Sequence, residues 1–272
     1  MGTPIILLAV IGCVAAIILV IASKVMYVPV DQTVLDIRDA LPGANCGACG
    51  FAGCDDYAAA LAKDPTGVLP SLCTPGGGFV ASSVARILGV DAGSVTPQKA
   101  FIRCQGNAQN KDKVIRYVGL RTCAAEKQFY GGQWSCSMGC LGMGDCSRKC
   151  PYGAITMINN LPEVDHSLCV GCGLCAQECP NHIITINDFD TKVMVTCSSH
   201  YAGKKVMNAC KTACIGCKKC EKACVKFNAI VVEDNLPKID YDKCVGCGLC
   251  AKECPTGAIV VHKKKKKENT AS

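Results

Sequence analysis

The sequence predicts an α+β protein built in series: one N-terminal transmembrane helix, a small helical domain, then two tandem domains of short helices and hairpins. Three observations predict it. Residues 4–22 read PIILLAVIGCVAAIILVIA, an almost unbroken apolar run. The 25 cysteines of the 272-residue chain fall at regular spacings. The stretch from Cys136 to Cys254, which holds 18 of them, is an internal repeat of cysteine loop, hairpin, cysteine loop and strand.

The apolar run comes first. Nineteen residues in helical form match the thickness of a bilayer core, and residues 1–27 read as a membrane anchor. A cleaved signal peptide is the rival, but it needs a positive leading segment and a shorter apolar one. Lys24 follows the span and places the C-terminal side in the cytoplasm. Cys13, inside the run, reads as a small hydrophobe.

Residues 28–78 read as a small cysteine domain. Val34, Ile37 and Leu41 repeat at helical spacing from Asp31, which can cap the helix, and Pro42-Gly43 stops it. Cys46, Cys49, Cys54 and Cys73 follow as C-x2-C-x4-C-x18-C. Gly47 and Gly50 let the loop curl. A second helix over 53–63 carries Cys54 at its start, where the helix dipole favours a thiolate. Zinc uses C-x2-C pairs as well; the preferred reading is one [4Fe–4S] cube. Gly76 to Gly78 are expected to form a hinge. Residues 79–135 read as a linker and strand region. It has a helix over 80–88, with Ala81, Val84, Ala85 and Leu88 on one face, a strand at Phe101-Ile102-Arg103 before Cys104, and a polar segment over 106–113.

Four cysteine runs then set the rhythm. They are Cys136/Cys140/Cys146/Cys150, Cys169/Cys172/Cys175/Cys179, Cys214/Cys217/Cys220/Cys224 and Cys244/Cys247/Cys250/Cys254. The last three are C-x2-C-x2-C-x3-C, the bacterial ferredoxin pattern for [4Fe–4S] clusters. Three thiolates on a tight loop each reach one iron, and the fourth points away to a neighbouring cube. Disulfides do not suit sulfurs this close in sequence, and zinc has no use for the third cysteine. Cys210-x3-Cys214-x2-Cys217 matches the radical SAM motif, but no barrel follows it. Residues 136–190 and 214–262 are therefore two ferredoxin-like two-cluster domains, joined by a connector over 191–213. In each, a hairpin separates the loops (154–157 with 161–164, and 227–232 with 235–240) and a strand closes the unit.

Swapped ligation gives Cys136, Cys140, Cys146 and Cys179 one cube, and Cys169, Cys172, Cys175 and Cys150 its partner. In the second domain Cys214, Cys217, Cys220 and Cys254 share one, and Cys244, Cys247, Cys250 and Cys224 the other. The first run departs from the standard spacing, and Val225 stands where Pro usually follows the fourth ligand. Five cubes result. Cys104, Cys123, Cys197 and Cys210 remain, as two pairs ahead of the two domains, and are the candidates for a sixth.

The formal charge is +7. Each four-cysteine cube adds about −2, so global basicity says little about partners. Local basicity says more: Lys204, Lys205, Lys211, Lys218, Lys219, Lys222 and Lys226 crowd the second domain, and Lys263 to Lys267 open a basic tail over 263–272. A solvated tail, an acidic electron carrier and anionic lipid all suit such a surface. Nucleic acid does not, since aromatic interleaving is lacking. His166, His182, His200 and His262 show no ligand spacing. No phosphate loop, dinucleotide fingerprint or nucleophile constellation is present, so no independent active site is expected.

The order of one membrane helix, then LPGANCGACGFAGC with Cys73, then SCSMGCLGMGDCSRKCPYGAI, then ferredoxin runs closely resembles the B subunit of the Rnf complex. That family belongs to the ion-translocating ferredoxin:NAD oxidoreductase of bacterial membranes. The long form, with a second ferredoxin unit, resembles the version of anaerobes. The resemblance implies a single-pass protein of the cytoplasmic (inner) membrane with its clusters on the cytoplasmic side. It implies a component that takes electrons from reduced ferredoxin and passes them to the other subunits of the complex. Flavin, NAD and the pumping of Na+ or H+ would belong to those partners. A membrane-tethered polyferredoxin serving another reductase or hydrogenase is the alternative.

Overall fold

The computed structural model describes residues 2–25 and 31–262, with side chains from residue 10 onward. The basic tail over 263–272 lies outside the described residues. Helix α1 runs Gly2–Val25, and its apolar side chains Val10, Ile11, Ile17, Leu19 and Val25 are exposed. Among the described residues no helix is long and apolar enough to cross a membrane.

The small domain is helical, as expected. Asp31 caps α2 (Gln32–Ala40), accepting from the Thr33 N–H at 2.9 Å. Helix α3 (Cys54–Lys63) starts on the second cysteine loop, where the Asn45 side chain accepts from the Cys54 N–H at 2.8 Å. A 3-10 turn at Pro70–Leu72 brings back Cys73. Ile37, Tyr57, Leu61 and Val84 form its dry centre together with Cys54 and Cys73.

The hinge expected at Gly76–Gly78 is not there. These glycines open α4 (Gly77–Leu88), with the Gly77 N–H bonded back to the Cys73 carbonyl at 3.1 Å. A Cβ at Gly76 would overlap the Val80 side chain, so the glycine permits close packing rather than freedom. Val80 and Val84 belong to the core that Ile37 and Tyr57 share. The small domain thus runs on past residue 78 through α4.

The two later units share one plan. In the first, β1 (Gln98–Ile102) leads to α5 (Cys123–Gln128) and α6 (Asp145–Lys149), then the hairpin β2 (Ile155–Ile158) and β3 (Leu161–Val164). Helix α7 (Leu174–Glu178) and β4 (Ile184–Asp188) complete it. In the second, β5 (Val193–Val195) leads to α8 (Gly203–Ala209) and α9 (Lys219–Ala223), then the hairpin β6 (Ile230–Glu233) and β7 (Leu236–Ile239). Helix α10 (Leu249–Lys252) and β8 (Ile259–Val261) close it. Both hairpins turn through two residues at positive φ, Asn159-Asn160 and Asp234-Asn235. That is the twist a tight antiparallel turn requires, and Asn and Asp tolerate it.

The closing strands pair outside the expected boundaries. β4 pairs antiparallel with β1, setting Phe101 against Thr185, and β8 pairs with β5, setting Met194 against Val260. Each unit therefore begins with a strand from what reads in sequence as linker or connector, at 98 and 193 rather than 136 and 214. The reason is burial: Ala100, Phe101, Val193 and Val195 alternate poorly with polar residues because both faces are covered.

Candidate metal centres

All 25 cysteines are free thiols. Most are buried, and they gather in sets. The local device that gathers them recurs four times. A residue in the left-handed region caps a short helix, and the third cysteine of the run sits at that helix's second position. The caps are Gly144, Gly173, Lys218 and Gly248 (φ 81°, 79°, 57° and 76°), and the cysteines are Cys146, Cys175, Cys220 and Cys250. Positive φ curls the loop back on itself, and three of the four positions use the residue that adopts it freely.

Five cavities hold most of the sulfurs. Cys46, Cys49, Cys54 and Cys73 line one in the small domain. Cys214, Cys217, Cys220 and Cys254 line another, and Cys224, Cys244, Cys247 and Cys250 a third. These are the expected groupings. Cys169, Cys172, Cys175 and Cys150 also converge. Burial pushes the Cys175 thiol up to about 12, and the charges of Cys169, Cys172 and Cys150 add to it.

At two positions the grouping differs from the sequence expectation. The cavity that holds Cys140, Cys146 and Cys179 is lined by Cys123, not Cys136. Cys136 instead faces a cavity between the two units, together with Cys104, Cys197 and Cys210. The polar segment over 106–113 contributes to this cavity as well. Its Lys111 is 4% exposed, lines this same cavity, donates to the Cys140 carbonyl and lies 4.4 Å from the centroid of the Trp134 indole. Nothing in the local sequence marks it as buried.

The donor sets suit iron–sulfur cubes. No group of three or more His, Cys, Asp or Glu among the described residues is tight enough for a single metal ion. A tetrahedral zinc site needs its sulfurs about 2.3 Å from one centre. Several of the thiols are buried deeply enough to resist ionisation. Burial raises Cys146 to about 11 and Cys220 to about 11, and lifts Cys140 further still. A thiolate at such a place needs the positive charge of iron as compensation. Backbone N–H groups already aim at sulfur: Ala100 at Cys169 (3.4 Å), and Gly106 and Cys140 at Cys104 (3.3 and 3.4 Å). Such bonds tune cluster potentials.

The sets stand in file. Cys46 acts electrostatically on Cys172, and both Cys46 and Cys73 act on Tyr152 of the first unit. Cys146 acts on Cys175. The Cys140 N–H meets Cys104, and the Cys214 N–H meets the Cys197 sulfur at 3.4 Å.

Comparisons with known proteins agree with the donor sets. Residues 162–185 and 237–260 match the 4Fe-4S binding domain family, and residues 41–75 match the family described as a putative Fe-S cluster. Three relatives are similar along most of the chain, each the B component of a multi-subunit complex. The chain is 40% identical over 253 residues to that of the ion-translocating oxidoreductase complex of Methanosarcina acetivorans, covering 93% of this chain and 95% of the relative. It is 39% identical to that of the proton-translocating ferredoxin:NAD(+) oxidoreductase complex of Clostridium ljungdahlii, covering 93% and 90%. It is 41% identical to that of the Na(+)-translocating ferredoxin:NAD(+) oxidoreductase complex of Acetobacterium woodii, covering 94% and 76%.

Proposed function

The chain belongs to the family of B subunits of ion-translocating oxidoreductase (Rnf) complexes, and from that premise we propose how it works. It is an iron–sulfur electron-transfer component of a ferredoxin:NAD oxidoreductase complex. In our reading it accepts electrons from reduced ferredoxin and relays them through [4Fe–4S] clusters to the membrane subunits of an Na+- or H+-pumping assembly. The single observation that carries this is the recurrence of cavities each lined by four thiols, from the small domain to the second unit.

Bound cubes supply one-electron redox chemistry; the chain supplies everything else. Its thiolates hold the metal, its apolar cores exclude water, and short rigid loops fix the spacing between neighbouring sets. The two ends of the file differ. Ahead of the small domain in the chain comes α1, whose described apolar side chains are exposed. With the apolar run over 4–22, this supports a single-pass anchor in the cytoplasmic membrane, with the metal domains on the cytoplasmic side. In the second unit, exposed Cys217 is followed in sequence by exposed Lys218, Lys219 and Lys222. Such a face suits an acidic carrier such as ferredoxin.

The test is anaerobic purification of the full chain with its complex, followed by an EPR titration with reduced ferredoxin. Reduction of the clusters, and co-purification with flavin-bearing membrane subunits, is the expected result. Clusters that stay oxidised in the presence of reduced ferredoxin would overturn the donor assignment. Removal of residues 2–25 should release the protein from membranes; a truncated chain that still sediments with them would overturn the anchor.

A further inference from the structure

The cavity between the two units is lined by cysteines of both. We propose that it is a sixth [4Fe–4S] site, held by Cys104, Cys136, Cys197 and Cys210, and that Cys123 replaces Cys136 as the fourth ligand beside Cys140, Cys146 and Cys179. This rests on the iron–sulfur reading above and extends it to a centre that joins the two units.

Geometry is the first support. The four sulfurs come from both units and line one space. Cys104 and Cys136 sulfurs are each 3.4 Å from the point where a Cβ on Gly139 would stand. Cys210 and Cys104 sulfurs are 3.4 and 3.5 Å from the corresponding point on Gly106. Both glycines leave room where the thiols converge. On the other side, Cys123 is the charge that acts most strongly on Cys146, ahead of Cys179. Cys123 lines the cavity with Cys140, Cys146 and Cys179, and its N–H donates to Asp145 Oδ2 at 2.6 Å, next to Cys146.

Register is the second support, and it is independent of the cavity. β1 ends at Ile102 and β5 at Val195, and each is followed two residues on by Cys104 and Cys197. Each of these sulfurs accepts from the N–H two residues further, Gly106 at 3.3 Å and Ser199 at 3.5 Å. Each also accepts from the backbone N–H of a ligand in its own unit, Cys140 and Cys214, both at 3.4 Å. Cys136-x3-Cys140 then corresponds to Cys210-x3-Cys214. In that alignment Cys140, Cys146 and Cys150 match Cys214, Cys220 and Cys224, and the match to Cys217 is missing from the first run. Cys123, arriving on α5, fills it. The irregular x3-x5-x3 spacing is thus two ligand sets interleaved.

Charge is the third support. Lys111 is buried in the cavity wall, and no ion pair with a carboxylate holds it among the described residues. A buried ammonium needs a counter-charge, and a four-thiolate cube carries about −2. A cube in this cavity would supply that counter-charge.

The experiment is metal counting on the full chain, prepared and reconstituted without oxygen, by iron and sulfide assay and native mass spectrometry. The proposal expects about 24 iron atoms per chain. The Cys104→Ser/Cys197→Ser chain should lose one cube and keep five. Cys136→Ser should perturb the same EPR signal as that double variant. Cys123→Ser should perturb a different signal, the one shared with Cys179→Ser. Five cubes in the unaltered chain would overturn the sixth site, whatever the variants do. Six cubes with Cys136→Ser and Cys179→Ser changing one common signal would overturn the exchange of Cys123 for Cys136. Ferredoxin need not react for either result, so a failure of the electron-donor reading is separately visible.

Discussion

Replacing Lys111 by Met should lower the reduction potential of the centre between the two units. Reduction adds a negative charge to a site whose wall carries this cation. The Lys111 side chain is 4% exposed and lines the cavity, so solvent and salt screen it weakly. A unit charge acting over roughly 7 Å at an effective dielectric near 20 contributes about 2 kcal/mol. For a one-electron couple that is on the order of 100 mV, since about 59 mV corresponds to a tenfold change. The shift is downward because the oxidised form, being less negative, loses less when the cation goes. Met keeps most of the volume against the Trp134 ring, while Lys111→Arg keeps the charge and should shift the potential far less. An EPR-monitored potentiometric titration reads both. A shift below about 20 mV in Lys111→Met, with iron content unchanged, would refute the placement of this cation beside a cluster.

Other perturbations test the remaining parts. Reversing Lys218, Lys219 and Lys222 to Glu should raise KM for reduced ferredoxin tenfold or more at low salt, about 1.4 kcal/mol, with little change in kcat; steady-state kinetics over an ionic-strength series decides. Leu61→Ala empties the centre of the small domain, where Leu61 is fully buried. It should cost about 2–5 kcal/mol, and the small domain's EPR signal should be lost on warming before those of the other units. Gly171→Ala places a Cβ against the Gln98 carbonyl at a positive φ of 71°, and should destabilise the first unit at its strand β1; an unchanged melting temperature would contradict this. The His166 and His262 rings meet at 3.1 Å, with His166 also against the Ala100 carbonyl. Burial holds both below the usual histidine range, and for His166 the neighbouring His262 and Lys99 reinforce it. A depressed folded-state pKa means the unfolded chain binds more protons, so this contribution is complete above about 6.5 and is lost as pH falls further. The melting temperature should fall with acidification more steeply than in the His166→Gln/His262→Gln chain; equal slopes would sink the idea.

The cysteine spacing alone was enough to group most of the thiols that the fold brings together. C-x2-C-x2-C is a local instruction: a loop curled by glycine at positive φ puts three sulfurs together whatever surrounds it. The small domain's set was legible for the same reason, as were both hairpins and the cap on α2. Residues distant in sequence were not legible. The strand at Phe101-Ile102-Arg103 was legible, but three to five residues carry no sign of which partner they will pair with, so the pairing of β1 and β5 was not. The glycines at 76–78 read as freedom, yet Val80 packs where a Cβ would have stood. Lys111 read only as part of a polar segment, because its charge says nothing of the cavity it lines.

The kind of chemistry was therefore determined by the chain itself, since local geometry and thiolate number decide that iron–sulfur cubes are held. Which cysteine serves which cube at the junction was decided only by folding. Spacing puts Cys136 with Cys140, but the fold sets Cys123 beside Cys140 and lines a separate cavity with Cys136, Cys104 and Cys197, the last two following β1 and β5, which pair with β4 and β8. Strand pairing is a long-range contact, and long-range contacts are what a one-dimensional pattern does not carry.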